Sequence, residues 1–325
     1  MAMGYQQVKA LRETAAGQDA QFATAQAREG GVTRHQIATM HARGEIENRR
    51  SGVWRFTAAA GDADPAVTAM LACWPNGVIS HQSAAVFHGL VRVKLPVEPS
   101  ITVPHREVHE LPGITLHRSR WIQDCDVLQV GNVRYTGLPR TLCDLADPKE
   151  LWETLSLLDD AVAGGAKRTW INHRAADLAN GRAGARIIRD ATSEEARALF
   201  NSWLERASAH VFRAGGLPDP QWNVDVRDAR GRIGIVDALW LPWRVVAEME
   251  GLRFHTTPQQ RRRDATRFNR MLDARYQPRR FTWEDIVHRP LEVVTTLYGA
   301  LNAAGADLDP ARIPNKIVLP TRPFL

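Results

Sequence analysis

The sequence predicts an α/β (α+β) multidomain chain: an N-terminal winged helix-turn-helix, an α/β middle region and a C-terminal αβββαβ core. Three observations carry this. A length of 325 residues suits two or three domains. Residues 1–60 read as three helices followed by a pair of short strands. Around Val245-Val246-Ala247-Glu248-Met249-Glu250-Gly251, acids stand on an otherwise apolar strand-like run, ahead of an arginine-dense segment. An unpaired buried charge costs several kcal/mol or shifts its pKa, so such acids are metal ligands, catalytic groups or members of ion pairs.

Composition sets the outer limits. At 44% hydrophobic and 24% charged, the chain has the make-up of a globular protein rather than a disordered one. A formal charge of +6 favours a polyanionic partner. Arg far outnumbers Lys, and guanidinium forks bind phosphate bidentately. Cys73, Cys125 and Cys143 form no CxxC pair, which argues against a zinc site or a disulfide framework and fits a reducing, cytoplasmic setting. No apolar run reaches the length of a membrane span, and no apolar signal core opens the chain.

In order, Tyr5–Ala16 reads as a first helix and Phe22–Arg28 as a short second one. Gly30-Gly31 breaks the chain, and Thr33 caps a third helix, Arg34–Ala42, with Gln36 at the capping-box position. Gly44 ends it. Strands are expected at Ile46–Arg49 and Val53–Thr57. Three helices and a β-hairpin wing make the winged helix-turn-helix pattern, whose third helix enters the DNA major groove. "GGVTRHQIATMHARGEIENRRSGVWRF" resembles the N-terminal domain of the abortive-infection AbiE-type antitoxins and related transcriptional regulators, with Trp54 where that family has Tyr. The resemblance covers roughly Tyr5 to Thr57. It implies DNA contacts from Arg34, His35, Arg49, Arg50 and Arg55.

Residues 61–190 read as the middle region. Pro65 suits the first turn of a helix running to about Trp74, and Ser80 suits the cap of another that ends at Gly89. Strands are expected at Ser100–Val103, Ile114–His117 and Val133–Thr136, with a short helix after Pro139. "VISHQSAAVFHGL" and "GLPRTLCDLAD" resemble the segment that follows the winged helix in the same antitoxin-like proteins. His81, His88, His105, His109 and His117 match no metal-ligand spacing and read as scattered surface or hydrogen-bonded residues. Glu150–Val162 has the apolar spacing of a packed helix, and 170–189 looks helical with breaks at Gly181 and Gly184.

Residues 191–325 form the third section. A helix capped by Thr192 or Ser193 leads into three strands, Gln221–Val226, Ile233–Leu241 and Arg244–Glu250. A helix over Gln259–Ala274, a strand at Arg279–Thr282 and a last helix from Pro290 complete the order. Within it stand Thr192-Ser193-Glu194-Glu195, Asp237-Ala238-Leu239-Trp240, Glu248-Met249-Glu250-Gly251 with His255, Asp264 with Arg267, and Arg280-Phe281-Thr282. This succession resembles the very-short-patch-repair (Vsr)-like endonucleases of the PD-(D/E)XK superfamily. Glu250 stands where that family has Asp, and Tyr276-Gln277-Pro278 replaces its Gly-Trp.

The resemblance implies Mg²⁺, or Mn²⁺ in its place, held by Asp237, Glu248 and Glu250. Residues two apart on a strand share a face, so Glu248 and Glu250 point the same way and Asp237 on the next strand can meet them. His255 would take or orient the proton of the attacking water. Glu195 would complete the acidic side, and Arg280 would contact the phosphate. Beside such a site, Arg261, Arg262, Arg263 and Arg267 would track a DNA backbone. The expectation is thus a cytoplasmic DNA-binding protein with a Mg-dependent endonuclease domain. The alternative is a non-catalytic, antitoxin-like repressor with a cognate toxin as partner, the nuclease fold serving as a binding or homodimerising module.

Overall fold

The structure is a computed structural model that describes residues 2–90, 93, 97–106, 110–194, 203–250 and 258–319. It is a mixed α/β, multidomain chain whose described residues form sheets of three, five and four strands. It divides into two compact units, Met1–Thr192 and Ser193–Leu325. Among the described residues, no helix is long and apolar enough to cross a membrane.

The first unit opens with α1 (Ala2–Ala16), β1 (Gln21–Ala23), α2 (Thr24–Glu29), α3 (Arg34–Ala42), β2 (Ile46–Arg50) and β3 (Val53–Phe56). The helix expected from Phe22 starts two residues later, because Gln21–Ala23 pairs antiparallel with β3 instead. The sheet order is β1-β3-β2. Phe22 is fully buried and packs on Phe56 with ring centroids 5.2 Å apart. The capping box of α3 is formed: Gln36 N–H donates to Thr33 Oγ1 at 3.2 Å, and Thr33 N–H donates to Gln36 Oε1 at 2.7 Å. Leu11, Ala15, Ile37, Met40 and Ile46 close this small core.

The same unit continues through α4 (Pro65–Ala72), β4 (Val78–Ile79), α5 (His81–Phe87), β5 (Ser100–Pro104), β6 (Thr115–Ser119), β7 (Val127–Val130) and β8 (Val133–Thr136). These strands form the five-stranded sheet, in the order β6-β5-β4-β8-β7. Ala23 and Val53 of the first sheet share one apolar cluster with Val67, Met70 and Leu71 of α4 and Ile79, Ile101 and Val103 of the second sheet. The helices α6 (Leu138–Leu145), α7 (Leu151–Ala163), α8 (Arg168–Leu178) and α9 (Ala183–Ala191) complete the unit.

The second unit comprises α10 (Trp203–Ala214), β9 (Gln221–Asp228), β10 (Gly231–Trp240), β11 (Val245–Glu250), α11 (Pro258–Asp273), β12 (Gln277–Thr282), α12 (Trp283–His288) and α13 (Pro290–Ala303). The strand order is β12-β11-β10-β9. β9, β10 and β11 pair antiparallel, and β12 returns parallel to β11 after α11. Val226, Val236, Leu239 and Val246 meet Met271 of α11 and Tyr276 in the apolar core.

Candidate functional site

A polar row crosses the middle of the second unit's sheet. The pairs Val236↔Val224 and Ala238↔Trp222 bracket Asp237 opposite Asn223 of β9. On the other side Ala238 faces Ala247, which puts Asp237 one step from Glu248 of β11. Glu248 in turn faces Arg280 of β12. Paired residues on adjacent strands share a face, so the sheet sets two acids and a guanidinium side by side. From α10, Glu205 reaches the row, its carboxylate accepting from Asn223 Nδ2 at 3.0 Å.

Each acid has its own surroundings. Asp237 Oδ2 accepts the Met249 backbone N–H at 2.7 Å. Burial pushes the Asp237 carboxyl up to about 6; Glu205 and Glu248 push the same way, while the Met249 N–H and Arg267 pull against them. Glu248 is 7% exposed and ion-pairs through both oxygens, Oε1 to Arg267 Nη2 at 2.5 Å and Oε2 to Arg280 Nε at 3.6 Å. Glu250, half-buried, takes Arg280 Nη1 at 3.1 Å. The Arg280 Cζ lies over the Phe268 ring, 4.8 Å from its centre, which draws the guanidinium toward α11.

Arg267 enters this network from α11 by way of a glycine. Its Nη2 donates to the Ile235 carbonyl at 2.6 Å, and a Cβ on Gly234 would stand 2.9 Å from its Nε. Gly234, at φ +152, therefore leaves the lane through which the guanidinium reaches Glu248.

The donor chemistry of the row suits a hard divalent cation: carboxylate oxygens from α10, β10 and β11 with no soft ligand among them. As placed, the described residues gather no group of three or more His, Cys, Asp or Glu able to hold an ion, and the counter-charge to Glu248 and Glu250 comes from Arg267 and Arg280. Glu195 and His255 lie outside the described residues. Glu205 is the acid that sequence reasoning missed; a single carboxylate on an amphipathic helix gives no local signal that it faces a sheet.

The basic residues divide in the same way. Arg262 and Arg263 are exposed on the first turns of α11, whereas the Arg261 side chain lies outside the described residues. Arg270 is committed to Asp228, at 2.9 and 2.7 Å. In the first unit, Arg34 and His35 are exposed at the start of α3. Arg49 is exposed on β2, 3.3 Å from Glu47, and half-buried Arg50 donates to the Pro112 carbonyl at 2.7 Å.

Arg55 corrects the expectation of a DNA contact. It is 5% exposed and spends its guanidinium on the carbonyls of Gly61 (2.8 Å), Ala60 (3.1 Å) and Asp19 (3.4 Å). A buried side chain whose three nitrogens each donate to a carbonyl inside the fold is structural. Of the middle-region histidines, His88 and His81 are hydrogen-bonded as expected, His88 Nε2 lying 2.8 Å from the Thr136 carbonyl oxygen and His81 Nδ1 3.0 Å from Ser80 Oγ. His117 departs from the expectation: its Nε2 is buried without a partner and its ring stacks on His81 with centroids 3.4 Å apart.

No protein-family model matches the chain, and no curated protein matches it. Among solved structures, the chain is similar to the RV2827C protein from Mycobacterium tuberculosis, at 18% identity over 58% of this chain and 77% of that one, with a TM-score of 0.36.

Proposed function

We propose that the chain is a DNA-binding protein whose second unit is an endonuclease domain hydrolysing phosphodiester bonds. The observation that carries this reading is the convergence of Glu205, Asp237 and Glu248 from α10, β10 and β11, with the Asp237 carboxyl raised first by burial and then by its acidic neighbours. Acids forced together in this way gain by sharing a cation. Asp237, Glu248 and Glu250 would hold Mg²⁺, or Mn²⁺ in its place, which when bound polarises a phosphoryl oxygen and lowers the pKa of water. Arg280, at the edge of the row, draws a phosphate oxygen toward the acids. Arg262 and Arg263 track the neighbouring phosphates by charge alone. His255 and Glu195 belong to the same reading through the resemblance to very-short-patch-repair-like endonucleases.

In the first unit, α1 to β3 act as a winged helix-turn-helix, with Arg34 and His35 of α3 in the major groove and Arg49 and Arg50 of β2 on the backbone. Arg55 has no part in that contact.

A second reading rests on a different observation: Glu248 and Glu250 are already neutralised by Arg267 and Arg280. In that reading the chain is an antitoxin-like repressor, with a toxin or a second copy of itself as partner, and the acidic row only ties β11, β12 and α11 together. One experiment separates the two. Supercoiled plasmid is incubated with the purified protein and Mg²⁺ or Mn²⁺, beside a mobility shift on duplex DNA. Nicking that disappears in Glu248→Ala supports the endonuclease. Duplex binding without nicking under either metal supports the repressor, and nicking that persists equally in Glu248→Ala sinks the catalytic assignment.

A further inference from the structure

A polar cluster inside the first unit serves neither of these roles. Parallel pairing of β5 and β6 sets Thr102 opposite His117, so both project from one face of the sheet. His81, the first residue of α5, has a φ of 50° and lies flat on the His117 ring, the planes 14° apart. Its Nδ1 is 3.0 Å from Ser80 Oγ. His117 Nε2 and Thr102 Oγ1 are buried with no hydrogen-bond partner.

Arg140, Arg182 and Asp144 act on this pair, and they belong to a larger network of ion pairs. Arg140 of α6 donates to both oxygens of Asp144, at 2.9 and 2.8 Å, and to Asp126 at 3.3 Å. Arg182, ahead of α9, donates to Asp144 at 3.3 Å and to Ser119 Oγ at 3.1 Å. Arg174 of α8 donates to Asp126 at 2.8 Å and, at the rim, to the exposed Asp177. Within the described cluster three guanidinium groups therefore face two buried carboxylates, and Asp144, the anion that acts on His117, is already engaged by Arg140 and Arg182. Cys143 adds no charge, since burial and Asp144 push its thiol up to about 12. Burial also raises the Asp144 carboxyl, against the pull of Arg140 and Arg182.

We propose that the His81–His117 stack is an acid-sensitive latch that clamps α5 to the β5–β6 edge of the sheet while both rings are neutral and opens when both are charged. Two imidazolium rings at stacking distance repel each other, and Arg140 and Arg182 add to that repulsion. Burial pushes each ring down to about 4; Arg140 and Arg182 push His81 further the same way, and His81 does so for His117, with Asp144 pulling His117 back. The two rings are in contact, so they titrate as a unit. The folded values lie below the ordinary 6.5. The contribution to stability is thus complete above pH 6.5 and is lost as the pH falls from there toward 4. At pH 5 the folding constant falls on the order of tenfold to thirtyfold for each histidine.

The test is urea unfolding of the full chain at pH 7.5 and pH 5, read by hydrogen exchange of first-unit peptides. The wild type is compared with a double variant, His81→Asn plus His117→Phe. Asn tolerates the positive φ at 81, and Phe keeps a ring at 117 without a titrating group. The double variant should lose on the order of a hundredfold of the acid sensitivity, while His173→Asn, at an exposed position, and His88→Asn, just past the far end of α5, should keep the stack-dependent part. A double variant as acid-sensitive as the wild type overturns the latch. Should it fail to fold, exchange in the wild type decides: loss of protection at pH 5 must come first in α5 and β6, and an even loss across the unit overturns the proposal.

Discussion

Asp237 and Arg55 are both half or wholly buried ions, yet the fold treats them in opposite ways. Arg55 is given an acceptor for every nitrogen group. Asp237 is given one N–H and two acidic neighbours, and its carboxyl rises to about 6. For a carboxyl raised in the folded state, the charged form costs stability at every pH above about 6, and the cost vanishes as the group protonates below it. Asp237→Asn should therefore stabilise the second unit at pH 7.5 by about 1–3 kcal/mol in urea unfolding, with the gain gone near pH 4. If the endonuclease reading holds, the same change removes nicking, so stability and activity move in opposite directions. The acids were legible in the sequence because charge on an apolar strand is conspicuous. Their partners were not: nothing local to Arg267 says that it turns to Glu248 rather than to Asp264, since that depends on Gly234 clearing its path.

At the scale of the element, the third helix was readable to its first residue, because Thr33 and Gln36 sit at capping-box spacing and the box forms from local atoms alone. The strand β1 was not. Three residues carry no periodicity, and Phe22 fits a helix as well as a strand until β3 supplies its partner. Gly184 shows a glycine read wrongly for a physical reason. It looked like a break, but it lies inside α9, where an added Cβ would press on the carbonyl oxygens of Cys143 and Ala146 and on the Ala146 side chain. Its smallness lets α9 approach the end of α6. Gly184→Ala should cost about 1–3 kcal/mol despite the better helix propensity of alanine, measured as a lowered urea midpoint; a raised midpoint would mean that α6 yields easily.

At the scale of the whole molecule, the sequence suggested a boundary near residue 60, where Gly61 to Pro65 has the look of a linker. The apolar cluster crosses it: Ala23 and Val53 pack with Val67, Met70, Ile79 and Ile101, and residues 1–192 form one compact unit. A fragment of residues 1–60 leaves Ala23 and Val53 without cover, so it should show poorly dispersed amide resonances, whereas residues 1–192 should give the dispersed spectrum of a folded protein. The turn was readable because glycine and proline mark turns locally; the shared core was not, because it joins strands far apart in the chain. The parallel return of β12 in the second unit has a consequence for synthesis. β9, β10 and β11 can zip as a meander as soon as they emerge, but Arg267 and Arg280 are still unmade when Glu248 takes its place. For that interval β11 is an open sheet edge bearing unpaired acids. A chain cut short before α11 stays in that state, and its charge, rather than any partner strand, is then what keeps such nascent sheets from joining edge to edge.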